Sequence, residues 1–109
     1  MAQETCIDPE RLEWQEFDPN IKGFFIKVLH KDEKTGAITI LSKITPDCGI
    51  GLHTHPSDEE FYVVSGTFQL GKHTLTPGMY YRVPRNTEHG PYGSPDEAIV
   101  LLTYNGPPS

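Results

Sequence analysis

Apolar positions along the chain fall in short runs, and within each run they tend to alternate with polar ones. Phe24 to His30 is apolar and β-branched enough for a strand. After the polar turn Lys31-Asp32-Glu33-Lys34-Thr35-Gly36, the stretch Ala37 to Ile44 resumes with Ile38, Ile40 and Ile44 on one parity. Further runs of strand length are Phe61 to Ser65, Thr67 to Leu70, Met79 to Val83 and Ile99 to Tyr104. Gly71-Lys72 suits a two-residue hairpin turn with glycine first, where φ must be positive. Thr76-Pro77-Gly78 marks another turn, and Pro84 ends a strand. The helical signal is confined to Asp8-Pro9-Glu10, a cap followed by proline, and Asp18-Pro19 limits it to one or two turns. Seven or more short strands with almost no helix predict an all-β sandwich or barrel.

Length and charge narrow this further. A chain of 109 residues makes one domain, residues 1–109, with residues 1–20 as an N-terminal arm and 105–109 as a flexible tail. Nine basic against fifteen acidic residues give a net charge of −6, which argues against binding to a nucleic-acid backbone. The longest apolar run, Ala98-Ile99-Val100-Leu101-Leu102, is too short to cross a bilayer. The opening Met-Ala-Gln-Glu-Thr-Cys has neither the basic nor the apolar region of a leader, so the expectation is a cytoplasmic protein with no membrane partner. Cys6 and Cys48 match no CxxC spacing and read as reduced thiols.

The chemistry lies in His53-Thr54-His55-Pro56-Ser57-Asp58-Glu59-Glu60-Phe61. Residues two apart on an extended chain share a face, so His53 and His55 project together. Pro56-Ser57-Asp58 turns the chain and Glu59 opens the returning strand opposite them. Two imidazoles and a carboxylate on one side suit a divalent transition metal. In Pro84-Arg85-Asn86-Thr87-Glu88-His89 another histidine follows a turn, for which Asn86 tolerates the left-handed conformation.

These residues resemble the cupins. His53, His55, Glu59 after three residues and Gly66 after six more match the first cupin motif, and Pro84, Asn86 and His89 match the second. The likeness spans Gly49 to His89, with flanking strands extending it over most of the chain. It departs from the pattern at Asp47 and Asn86, where glycine is usual, which touches the loops rather than the ligands. The resemblance implies a double-stranded β-helix, the cupin jelly-roll barrel, with His53, His55, Glu59 and His89 as metal ligands inside it. Within the family the chain looks most like the cupin domain of ChrR-type anti-sigma factors and like small dioxygenase-like cupins. The shared features are Lys27-Val28-Leu29, Thr35-Gly36, Glu59-Glu60-Phe61 and Arg82-x-Pro84. The helical zinc module of an anti-sigma factor has no counterpart here, so a transcriptional role is not expected.

The implied cofactor is one divalent ion, Fe, Mn, Ni, Co or Zn, since mixed histidine and carboxylate ligands suit all of them. One carboxylate against a divalent ion leaves a net charge of about +1, favouring an anionic or chelating oxygen ligand. The leading expectation is a dioxygenase-type oxidoreductase acting on a small β-dicarbonyl, phenolic or enolisable substrate. A non-redox cyclase or isomerase is the alternative, as is a domain that binds metal or a small molecule without turnover.

Other residues carry weaker expectations. Glu60 points outward, or replaces Glu59 as ligand if the hairpin is looser. Phe61 and Val63 share the face of Glu59, while Tyr62 and Val64 pack outside. Either Tyr80 with Arg82 or Tyr81 with Val83 faces the cavity. Glu88 reads as surface rather than general base, Tyr104 as core, and His30 and His73 as surface. A homodimer through edge strands is the expected assembly. Trp14, Phe17, Phe24 and Phe25 either cover that interface or plug one end of the barrel. No nucleophile elbow and no glycine-rich loop before a helix is present.

Overall fold

The computed structural model describes residues 3–108. Two antiparallel sheets face each other. The larger takes β1 (Gln15–Glu16), β2 (Phe24–Lys31), β3 (Ile38–Ile44), β4 (Glu59–Ser65), β7 (Tyr80–Val83) and β9 (Ala98–Tyr104), in the order β1-β2-β3-β9-β4-β7. The smaller takes β5 (Phe68–Leu70), β6 (His73–Leu75) and β8 (Tyr92–Gly93), in the order β6-β5-β8. This is the expected all-β jelly roll, and its helical content among the described residues is one 3-10 turn at Pro9–Arg11. Asp8 caps that turn by accepting a bond from the Glu10 amide. No described helix is long and apolar enough to cross a membrane.

Alternation decides which face of each strand is buried. In β9 the inward set is Ala98, Val100, Leu102 and Tyr104, and in β3 it is Ile40, Ser42 and Ile44. Ser42 sits among apolar neighbours because its hydroxyl donates to the Val100 carbonyl at 2.8 Å. The sheets meet through Phe61 and Phe68, whose ring centroids lie 5.7 Å apart, with Tyr92 edge-on to both. Phe61, Phe68, Ile40, Ile44, Leu70 and Leu102 are fully buried, each contributing roughly 1.5–3 kcal/mol of transfer free energy. Gly66, the last residue of the first motif, has φ +73, and a Cβ there would lie 1.9 Å from the Glu97 carbonyl oxygen. Glycine is the residue that fits.

The structure adds detail that alternation did not show. β4 starts at Glu59, the residue expected to open the returning strand, whereas β1, β6 and β8 were not foreseen. The N-terminal arm is docked, since Gln15 and Glu16 pair with Ile26 and Phe25, and the Lys27 ammonium donates to the Pro9 carbonyl at 2.7 Å. Trp14 packs beneath both Lys27 and Lys43, with the ammonium groups 4.5 and 4.8 Å from its ring centroid. Residues 105–108, read as loose, are tied down. The Asn105 amide donates to the Asp58 carbonyl and the Ser57 hydroxyl to the Pro107 carbonyl.

Candidate metal centre

The backbone brings the histidines together before any side chain is considered. His53 and His89 form an antiparallel pair in which each amide donates to the other's carbonyl at 3.0 Å, so their side chains stand next to each other. His55 follows on the parity of His53, and its carbonyl accepts the Asn86 amide at 2.8 Å. Asn86 has φ 58, the left-handed turn expected of it, which sends the chain back to His89. Glu59 stands between Val83 of β7 and Tyr104 of β9, facing inward and fully buried.

His53, His55, Glu59 and His89 converge, each offering a ligand atom within 4.8 Å of the others. The histidine tautomers follow from their partners. Nδ1 of His53 donates to the Gly51 carbonyl at 2.8 Å, Nδ1 of His55 to Pro108 at 2.6 Å, and Nδ1 of His89 to Thr87 at 2.9 Å. A carbonyl can only accept, so each Nδ1 carries the proton in the neutral ring and each Nε2 lone pair is left for the centre. His89 Nε2 lies 2.9 Å from Glu59 Oε1 and His55 Nε2 lies 3.7 Å from it. Nε2 of His55 and Oε2 of Glu59 are buried with no hydrogen-bond partner. Unpartnered buried acceptors are costly, and two at the point where three lone pairs and a carboxylate meet fit a divalent cation.

Titration behaviour follows the surroundings. Burial holds His53 below the ordinary histidine value, and the neighbouring His89 and His55 add to this, although its bond to Gly51 opposes it. That favours the neutral form a metal requires. For His89 burial pulls downward, but the bond that Nε2–H of the protonated ring donates to Glu59, the bond to Thr87 and the charge of Glu59 outweigh it, so its value is raised. Tyr92 and Tyr104 are pushed up by burial and by the Glu59 charge, and both phenols stay protonated.

Tyr92 escaped the sequence reading. Its hydroxyl lies 3.0 Å from His89 Nε2 and donates to Glu59 Oε1 at 3.3 Å. Three residues after His89, in a strand two residues long, it carries no periodic signal. Tyr104 faces the same centre, edge-on to His55 with centroids 5.0 Å apart. A cavity of about 280 Å3 opens beside His53 and His55, walled by Phe17, Ile21, Phe24, Ile50 and Leu52. Phe24 is core and the exposed Phe17 stands edge-on to it at 5.4 Å, so these two aromatics wall this cavity. Trp14 and Phe25 instead meet Lys43 on the outer face.

The remaining expectations resolve one by one. Glu60 lies on the outer face, where its carboxylate accepts from the Tyr80 hydroxyl at 2.6 Å and the Asn105 amide at 2.9 Å, outside the cluster. Tyr81 and Val83 face inward, while Arg82 reaches Asp58 at 2.9 Å on the outside. His30, His73 and Glu88 are exposed, and Cys6 and Cys48 are both unbridged.

With that geometry in place, comparison with known proteins adds the following. A family model described as a ChrR cupin-like domain matches residues 2–109. An acireductone dioxygenase from Trichodesmium erythraeum (strain IMS101) is 34% identical over 61 residues, 48% of this chain and 34% of that one. The fold is shared with a candidate acetylacetone dioxygenase from Methylibium petroleiphilum PM1, at TM-score 0.86 and 18% identity over 97% of this chain and 79% of the other. It is shared as well with the polyketide cyclase RemF from Streptomyces resistomycificus, at TM-score 0.77 and 19% identity over 94% of this chain and 79% of the other.

Proposed function

The chain belongs to the ChrR cupin-like family, and from that premise we propose that it is a metal-dependent dioxygenase-type enzyme for a small oxygen-chelating substrate. The ligands are Nε2 of His53, His55 and His89 together with the Glu59 carboxylate. The observation that carries this reading is the pair of buried, unpartnered atoms, His55 Nε2 and Glu59 Oε2, on two side chains of the converging cluster. When bound, a divalent ion supplies Lewis acidity and a template and, if it is Fe(II), a reductant for oxygen.

The protein's own groups do the rest. Three backbone carbonyls hold the imidazoles in one tautomer, so the site is organised before any ligand arrives. Glu59 supplies a single negative charge, which leaves about +1 with a divalent ion and favours a monoanionic chelate such as an enolate. Tyr92, itself buried, gives the buried Glu59 a hydrogen bond. The neighbouring cavity has apolar walls and no lysine or arginine in them, and about 280 Å3 lies just under the usual range for drug-sized ligands. It suits a small substrate with hydrocarbon substituents.

Oxygen uptake by Fe(II)-loaded protein tests the reading, with 1,3-diketones and catechol-like compounds as substrates. Consumption that stops in the His89→Ala variant is the expected result. No uptake with any of them would overturn the dioxygenase reading. A non-redox cyclase is the second reading, favoured by the fold shared with RemF, and turnover sustained by Zn(II) without oxygen would select it.

A further inference from the structure

The three Nδ1 bonds are not alike. His53 and His89 each bond a carbonyl two residues upstream, Gly51 and Thr87. Those bonds are local in sequence, closed within three residues. His55 instead bonds the carbonyl of Pro108, 53 residues away, at 2.6 Å. Its orientation depends on a distant segment being in place.

Residues 105–108 are built to be there. Asn105 extends the pairing of β9 with β4 past the sheet, its amide donating to the Asp58 carbonyl at 2.9 Å and its side chain to Glu60 at 2.9 Å. Gly106 is buried, and a Cβ on it would stand 3.1 Å from the Cβ of Ser57. Ser57, itself 8% exposed, donates its hydroxyl to the Pro107 carbonyl at 2.8 Å. Pro107 also packs on Gly36, where an added Cβ would lie 2.8 Å from its ring. Pro107 and Pro108 have no N–H and a restricted φ, so their backbone offers only carbonyls and loses little entropy when docked. Both carbonyls go to the turn that carries His55.

We propose that Pro108 is a positioning residue of the metal centre, its carbonyl setting the tautomer and ring orientation of His55, with residues 105–108 acting as a strap that couples this ligand to the far end of the chain. This rests on the reading of His55 as a ligand. Loss of a partner outside the ligand set costs about 10–100-fold in metal affinity, and that is the effect assigned to this strap. Coupling of this kind is reciprocal, so the ion steadies the strap to the same degree.

The test compares the intact chain with a variant ending at Asn105 and with Ser57→Ala, which loosens the strap without shortening it. Co(II) serves as probe, its affinity measured against a competing chelator and its visible spectrum reporting coordination. In the absence of metal, 15N NMR of the imidazoles reports the His55 tautomer at a pH where the ring is neutral. The expected outcome is Co(II) binding weakened about 10–100-fold in the shortened chain, an altered spectrum, and a His55 that no longer holds its proton on Nδ1. His53 and His89 keep theirs. Unchanged affinity and spectrum in the shortened chain overturn the proposal. If that chain does not fold, Ser57→Ala decides, and wild-type affinity with an unchanged tautomer overturns the proposal equally. An intact chain that binds no Co(II) defeats the metal reading, while the tautomer measurement still decides whether Pro108 positions His55.

Discussion

Replacing Glu59 with glutamine separates what the site needs from what the fold needs. Glu59 is fully buried, and Oε2 has no partner while Oε1 faces His89 and Tyr92. Without metal this is an expensive arrangement, because an unsatisfied buried acceptor costs about 1–3 kcal/mol and more when charged. Glutamine has nearly the same shape, carries no charge, and can donate to the His89 Nε2 lone pair. The metal-free variant is therefore expected to be more stable than wild type by about 1 kcal/mol or more. For a domain of this size that raises Tm by roughly 4–8 °C per kcal/mol. Metal reverses the order. At an ion concentration about 1,000 times Kd, wild type gains roughly 4 kcal/mol. A variant that binds about 100-fold more weakly gains less than about 1.5 kcal/mol under the same conditions. Thermal unfolding of both proteins, after chelation and then with added Co(II) or Zn(II), measures the two effects in one series. A variant that keeps the full metal-induced shift would refute the assignment of Glu59.

Two further outcomes follow from the same geometry. Tyr92→Phe keeps the ring packed on Phe61 and Phe68 but removes the hydroxyl from Glu59 and His89. Metal affinity should fall about 10-fold or more while unfolding free energy changes by roughly 1 kcal/mol, measured by chelator competition and urea titration. Asp58 is held below the ordinary carboxyl value of 3.8, first by the Arg85 amide and then by the charges of Arg82 and Arg85. Its contribution to stability is fully present above that value and is lost as pH falls through the depressed one. Asp58→Asn should thus flatten the acid limb of stability below about pH 4, followed by unfolding midpoints between pH 5 and 2, and an unchanged limb would contradict it.

Where the strands are long, their alternation was readable from sequence. β3 shows it, and so does the inward set Glu59, Phe61 and Val63 of β4, whereas in β9 the unbroken apolar run Ala98–Leu102 hid which face is buried. The two-residue spacing of His53 and His55 was readable for the same reason. What escaped depends on contacts that sequence distance hides. β1 and β8 have two residues each and β6 three, too few to show a period, and they exist because a longer neighbour pairs with them. Tyr92 reaches Glu59 only because β8 of the small sheet folds across β4 of the large one. The Gly-Pro-Pro composition of residues 106–108 looks like a frayed end. Yet those prolines dock because their carbonyls find Ser57 and His55 on a turn fifty residues earlier in the chain. Lys27, charged and in mid-strand, is buried because Pro9 and Trp14 cover it.

The central claim is that His53, His55, Glu59 and His89 hold one divalent ion. A crystal structure of protein purified without added metal, with anomalous data collected on both sides of the edges of Fe, Mn, Ni, Co and Zn, tests it most directly. The account predicts one anomalous peak, at about 2.0–2.2 Å from the three Nε2 atoms and a Glu59 oxygen. A peak bound elsewhere, or protein reconstituted with any of these metals that shows no peak between these four side chains, would contradict it.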